Sequence, residues 1–137
     1  MTQPTNAVNV EPALASLRVL EIAPPSAGAA TRYLAELGAD VILVPQAEIV
    51  DDAVAALVRN TGKRVMRLDL TTTAGLERLA ELAADADILL STRLDSRLAD
   101  PMNDEWLATV RARNPRLVAA RLSPFGTGSS LKDWQLT

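Results

Sequence analysis

The 137-residue sequence predicts an open, mostly parallel, doubly wound α/β sheet of about five strands with helices on both faces. Three observations lead there. Residues 16–46 read as strand, short loop, helix, glycine, strand, a βαβ unit whose crossover makes its two strands parallel. Short apolar runs rich in β-branched residues then recur, separated by stretches with helical apolar spacing. Proline, glycine, asparagine and aspartate mark the changeovers.

Residues 1–15 are polar, contain proline and show no period, so they read as a loose leader to one domain over 16–137. The run Leu17-Arg18-Val19-Leu20-Glu21-Ile22 is the first strand, predicted near 17–23. Pro24 and Pro25 end it. Ala30, Tyr33, Leu34 and Leu37 then form the apolar stripe of a helix that Gly38 closes in a left-handed cap. Val41-Ile42-Leu43-Val44 is the second strand, ended by Pro45. A helix over 47–60 follows, with Ile49, Ala53, Val54, Leu57 and Val58 as its apolar positions. Asn60-Thr61-Gly62 is a turn into a third strand near 64–69. Thr72 is placed to cap a helix lined by Leu76, Leu79, Ala80 and Ala83. Asp85-Ala86-Asp87 connects to a fourth strand near 87–91. Residues 91–101 read as loop with at most a helical turn. Asn103 or Asp104 caps a helix through Trp106, Leu107 and Val110, stopped at Asn114-Pro115. The fifth strand lies near 116–122, and Ser123 to Ser130 is loop.

Composition narrows the function classes. With 48% hydrophobic and 23% charged residues the chain reads as a globular domain long enough to bury a core. A formal charge of -3 gives no electrostatic case for nucleic acid or an anionic membrane as partner. Neither cysteine nor histidine occurs, which excludes thiolate chemistry, disulfides, histidine-based triads and histidine zinc sites. No metal is expected. The N-terminus lacks the basic and apolar regions of a signal peptide, and no apolar run approaches the roughly 20 residues of a membrane span. A cytoplasmic location suits these features.

In a doubly wound sheet ligands sit beyond the carboxyl ends of the strands, so the loops there hold the candidates. The first, Pro24 to Ala29, has one glycine, not the G-x-G-x-x-G of dinucleotide folds, and no phosphate-binding Gly-Lys-Ser/Thr occurs anywhere. Small residues before a helix N-terminus admit a phosphate or thioester oxygen to backbone N–H groups. On physics alone the plainer reading is preferred, that Ala27 and Gly28 let helix and sheet pack closely. Lys63-Arg64 suits an anionic cofactor or, more commonly, a solvated strand end. Arg93 and Arg97 carry the same two readings, and so do Arg111 and Arg113, for which a solvated helix face is preferred. Ser123 to Gly128 stands equally as an amide-rich anion loop, through Gly126 and Gly128, or as a flexible loop.

The chain resembles the class III CoA-transferases, the CaiB/BaiF family. The resemblance rests on LASLRVLEI, an Ala-Gly before a helix, and LAELGADVILV. It continues in NTGKRVMRLDL, similar to N-x-N-K-R-S-x-x-L-D-L, and in AGLERLAELAADADILLS. RNPRLVAARLSPFGTG is similar to L-N-P-R-L-V-x-x-x-I-S-G-F-G-x-x-G, so nearly everything from Leu14 onward is covered. It implies a Rossmann-like N-terminal domain whose site binds coenzyme A or acyl-CoA, with a carboxylic acid as acceptor and a homodimer as the full-length form. Family members transfer CoA between carboxylic acids through an aspartyl-CoA thioester, chemistry that needs no histidine, cysteine or metal. Carried over position by position, the resemblance assigns Ser26, Ala27, Gly28, Gly62, Lys63, Arg64, Thr92, Arg93, Ser123, Phe125 and Gly126 to the cofactor site.

Departures are concentrated at those positions. Ser26 stands where the family often has Gln, and Pro45-Gln46 where it has charged residues. Gly62 replaces the second Asn of N-x-N-K-R, Ser91-Thr92-Arg93 replaces the CoA-holding E-N-F, and Pro124 replaces the first Gly of S-G-F-G. Lys63 and Arg64 are kept. The family nucleophile lies in R-D-R-P-G-Y-D, of which residues 132–137 occupy the first six positions. The nucleophile is therefore expected directly after Thr137, and Asp133 matches the non-catalytic aspartate. No catalytic residue is assigned within the chain, which is expected to be inactive alone. The alternative is a non-catalytic, diverged domain of the same fold with an assembly or regulatory role.

Overall fold

The computed structural model describes residues 11–22, 28–45, 53–92, 103–122 and 130. Its elements alternate throughout: β1 (Arg18–Ile22), α1 (Gly28–Glu36), β2 (Asp40–Leu43), α2 (Ala53–Arg59), β3 (Arg64–Val65), α3 (Thr73–Ala84), β4 (Ile88–Thr92), α4 (Asp104–Arg113) and β5 (Val118–Leu122). The five strands form one sheet in the order β3-β2-β1-β4-β5. Every pairing is parallel, with Glu21 opposite Leu43, Leu20 opposite Leu89 and Ile88 opposite Val118. The chain winds outward from β1 to β3, then crosses back to β4 and on to β5. Strand order therefore reverses between the carboxyl ends of β1 and β4, where doubly wound sheets place their ligands.

Local chemistry explains most boundaries. Gly38 has φ 101°, and its amide and that of Ala39 bond Ala35 and Leu34 carbonyls at 2.9 and 3.0 Å, closing α1. Gly62 (φ 78°) makes the turn before β3. Thr72 caps α3 by accepting from the Gly75 amide at 3.1 Å. Of the two candidate caps for α4, Asn103 is the one used, accepting from the Trp106 amide at 2.9 Å. Asp87 does connective work, its carboxylate accepting from the Arg18 amide at 2.8 Å.

Strand alternation sends residues to two unlike faces. Leu20, Ile22 and Val44 join Leu70, Leu79, Ala80, Ala83, Leu89, Val110 and Leu117 in the larger core, under α3 and α4. Val19, Val41 and Ala39 form a smaller cluster under α1, with Leu14, Leu17, Leu34 and Ala35 against it. Leu14 also donates its amide to the Leu37 carbonyl at 3.0 Å, and Pro12 lies against Gly38.

Three expectations need correction. β3 is two residues long, not six: after the Met66 amide bonds Leu43, the next rung requires an N–H from Pro45, which has none. Helix α2 is described only over Ala53–Arg59, and the expected start with Ile49 lies outside the described residues. Its Val54, Leu57 and Val58 are exposed rather than core. Helix α1 is rotated from the expected stripe: Ala30, Tyr33 and Leu37 face solvent, and the sheet-facing positions are Gly28, Thr31, Leu34 and Ala35. The cause lies beneath Thr31.

Candidate functional site

Glu21 is the third residue of an apolar strand run and its side chain points to the α1 side, where it is almost wholly buried. A buried carboxylate requires partners. Lys63 supplies one from the other side of β2: its Nζ donates to Glu21 Oε2 at 2.8 Å and to the Gly28 carbonyl at 2.9 Å. The Lys63 side chain is 0% exposed and that of Glu21 2%. Thr31 Oγ1 donates to the same carboxylate oxygen at 2.6 Å and lies 3.1 Å from the Gly28 carbonyl. Two strands and the first turn of α1 are thus tied at one point, next to the carboxyl end of β1.

Gly28 is the keystone of this packing. A Cβ there would sit 3.3 Å from both Glu21 Oε1 and Lys63 Nζ, and 4.0 Å from Arg59 Cδ. The small residue noted in the sequence is therefore explained by close packing of helix on sheet, as the plainer reading held. Because α1 begins at this glycine, its first amides open toward the end of β1, where the helix dipole favours an anion.

Of the positions that the family resemblance names, the structure brings Gly28 and Lys63 together. Gly62 precedes Lys63 in the turn, and a Cβ on it would lie 3.3 Å from Ala35 Cβ, so the turn rests on α1. Arg64 turns away: it makes a two-pronged pair with Asp40, at 2.7 and 2.5 Å, on a largely exposed surface. Thr92 ends β4, opposite Leu122. Ser26, Ala27, Arg93, Ser123, Phe125 and Gly126 lie outside the described residues, as do Arg97 and Gly128.

Glu21 and Thr31 were not singled out from the sequence. The signal available was a single acid within Val19-Leu20-Glu21-Ile22, since an ionised residue in a buried strand demands a partner. Nothing local reveals that the partner lies 42 residues on.

This arrangement ties β1, the start of α1 and the residue before β3 together, and its buried side chains offer no exposed nucleophile or proton donor. Among the described residues no cluster of acids could hold a metal ion. On the opposite face, a cavity of about 40 Å³ lies between α4 and strands β4 and β5, lined by Leu89, Ser91, Trp106 and Arg121 among others. It is separate from the Glu21–Lys63 pair and small beside a ligand site.

Comparison with known proteins places this geometry. The family model for CoA-transferase family III matches residues 14–135. The chain belongs to CoA-transferase family III. Among relatives of this family, formyl-CoA:oxalate CoA-transferase of Streptomyces avermitilis is 32% identical over 128 residues, covering 85% of this chain and 31% of the relative. Succinate–glutarate CoA-transferase of Agrobacterium fabrum is 30% identical over 149 residues, covering 95% and 37%. The fold agrees with a CaiB/BaiF family protein from Brucella suis, at 25% identity and TM-score 0.74, covering 88% of this chain and 36% of that one. A hypothetical protein from Mycobacterium tuberculosis matches with TM-score 0.76 at 27% identity, covering 93% and 38%. The chain thus spans about a third of the length of the family III relatives it matches. No described helix is long and apolar enough to cross a membrane.

Proposed function

We propose that this chain is the N-terminal, CoA-binding portion of a CoA-transferase that moves CoA between carboxylic acids, in a cytoplasmic homodimer. In the reaction proposed, an aspartate carboxylate attacks the acyl-CoA thioester carbonyl and expels the CoA thiolate, leaving a mixed anhydride. The thiolate then attacks the aspartyl carbonyl, releasing the acid and forming aspartyl-CoA, which the acceptor carboxylate opens by the reverse steps. The nucleophile proposed is the aspartate that closes the family's R-D-R-P-G-Y-D segment, and the part proposed for residues 14–135 is to bind and position.

The observation that carries this reading is the family match over residues 14–135, which includes the whole β1–α1 junction where Gly28 and Lys63 meet. The first amides of α1 suit the CoA pyrophosphate, and the family resemblance adds Ser26, Ala27, Thr92, Arg93, Ser123, Phe125 and Gly126 to the proposed site. The test is titration of the chain with CoA at low salt, with intact-mass analysis after exposure to an acyl-CoA. Saturable binding without a covalent adduct is expected; an adduct would show that a residue of this chain is itself the nucleophile.

One observation favours a second reading, a non-catalytic domain with an assembly or regulatory role. Lys63, one of the two cations retained from the family pattern, has its ammonium committed inside the fold. Absence of CoA binding at millimolar concentration would favour it.

A further inference from the structure

We propose that Lys63 and Glu21 are positioning residues for CoA: they fix the start of α1 so that its first amides face the pyrophosphate, and neither touches a phosphate. This rests on the CoA-binding reading above. Lysine retained at a phosphate site is ordinarily taken as a phosphate ligand. Here its ammonium has two of its three donors occupied, by Glu21 Oε2 and the Gly28 carbonyl, at a side chain with no exposed surface. Turning it outward would strip the buried carboxylate of its counterion and leave it with Thr31 alone.

The same bonds account for a positioning role. The Gly28 carbonyl is gripped from below by Lys63, and Thr31 Oγ1 is seated on Glu21. In a helix the carbonyls and amides point oppositely along the axis. Holding the first carbonyl down therefore aims the first amides toward the mouth beyond β1. Gly28 admits this close approach because it lacks a Cβ.

The test is a binding cycle for CoA on the chain with native sequence, Lys63→Met, Glu21→Met and the double variant, each repeated over a salt series. Lys63→Met leaves the carboxylate alone beneath α1, and CoA affinity falls by about tenfold or more, that is by about 1.4 kcal/mol. Adding Glu21→Met removes the stranded charge and recovers most of that loss. The salt dependence of binding in the double variant matches the native one, because no phosphate contact has been removed. A double variant as weak as Lys63→Met, with a shallower salt dependence, would show that Lys63 meets the phosphates directly and overturn the proposal. If Lys63→Met does not fold, the affinity and salt dependence of the double variant still decide. Failure of the native chain to bind CoA would instead overturn the CoA-binding reading, and this inference with it.

Discussion

On the α3/α4 side of the sheet, leucines, isoleucine, valines and alanines from β1, α3, β4, α4 and the segments between elements interlock into one apolar cluster with Leu79 and Val110 wholly buried. On the α1/α2 side the buried apolar cluster is Val19, Ala39 and Val41, and beside it lie a carboxylate, an ammonium and a hydroxyl in mutual contact. Exposed large apolar residues also gather here, with Tyr33 in α1, Leu37 just after it, Val54, Leu57 and Val58 in α2 and Val65 in β3, while β5 exposes Val118 and Leu122 at the other edge of the sheet. One face holds the domain together by apolar burial. The other gives up apolar burial to bring a charged pair beneath the start of a helix. The contrast teaches where to look for function in such a fold: at the face whose packing is polar and therefore depends on particular partners.

The comparison is broken most forcefully at the polar face. Lys63→Met strands Glu21, and a loss of about 4 kcal/mol in unfolding free energy is expected, the scale for removing one partner of a buried pair. A loss under about 1 kcal/mol by denaturant unfolding would mean that the pair is wetter than its geometry implies. On the apolar face, Leu79→Ala opens a cavity worth about 3 kcal/mol. Leu57→Ala on α2, at 74% exposure, should shift stability by no more than about 0.5 kcal/mol in the same assay. Equal effects at the two leucines would erase the distinction between faces.

Smaller effects sharpen it. Thr72→Ala removes the cap of α3 and should cost about 1 kcal/mol, read as a shift in the unfolding midpoint at unchanged slope. Asp69, fully exposed, has its carboxyl held below the usual aspartate range by the Thr71 hydroxyl at 2.6 Å, with the Thr71 amide second. Its contribution to stability is therefore present above the usual aspartate range and fades as pH falls through its own lowered value. Thr71→Val should move the Asp69 midpoint upward in a carboxyl NMR titration; an unmoved midpoint would contradict the assignment.

How much was legible in the sequence follows the same division. Helix α3 announced itself through Leu76, Leu79, Ala80 and Ala83 because apolar burial is periodic and local, and its cap Thr72 is a local hydrogen bond. The parallel sheet followed from alternation, and the family from motifs spread over the chain. Helix α1 was misjudged in rotation because a polar contact, Thr31 to Glu21, sets its orientation, and apolar spacing cannot register that. The length of β3 is decided by Pro45, two residues past the end of the neighbouring strand, a long-range fact. Lys63 stands out in the sequence as a cation after a turn, and the resemblance adds it to the cofactor site. Its partner does not stand out, since pairing across 42 residues leaves no local trace.

The claim that the β1–α1 junction is the CoA-binding face is tested most directly by amide hydrogen exchange of the chain with and without CoA. Slower exchange is expected in peptides spanning residues 21–34 when CoA is bound, while peptides from α3, residues 73–84, exchange as before. Protection confined to α3 and α4, with the 21–34 peptides unchanged, would contradict it.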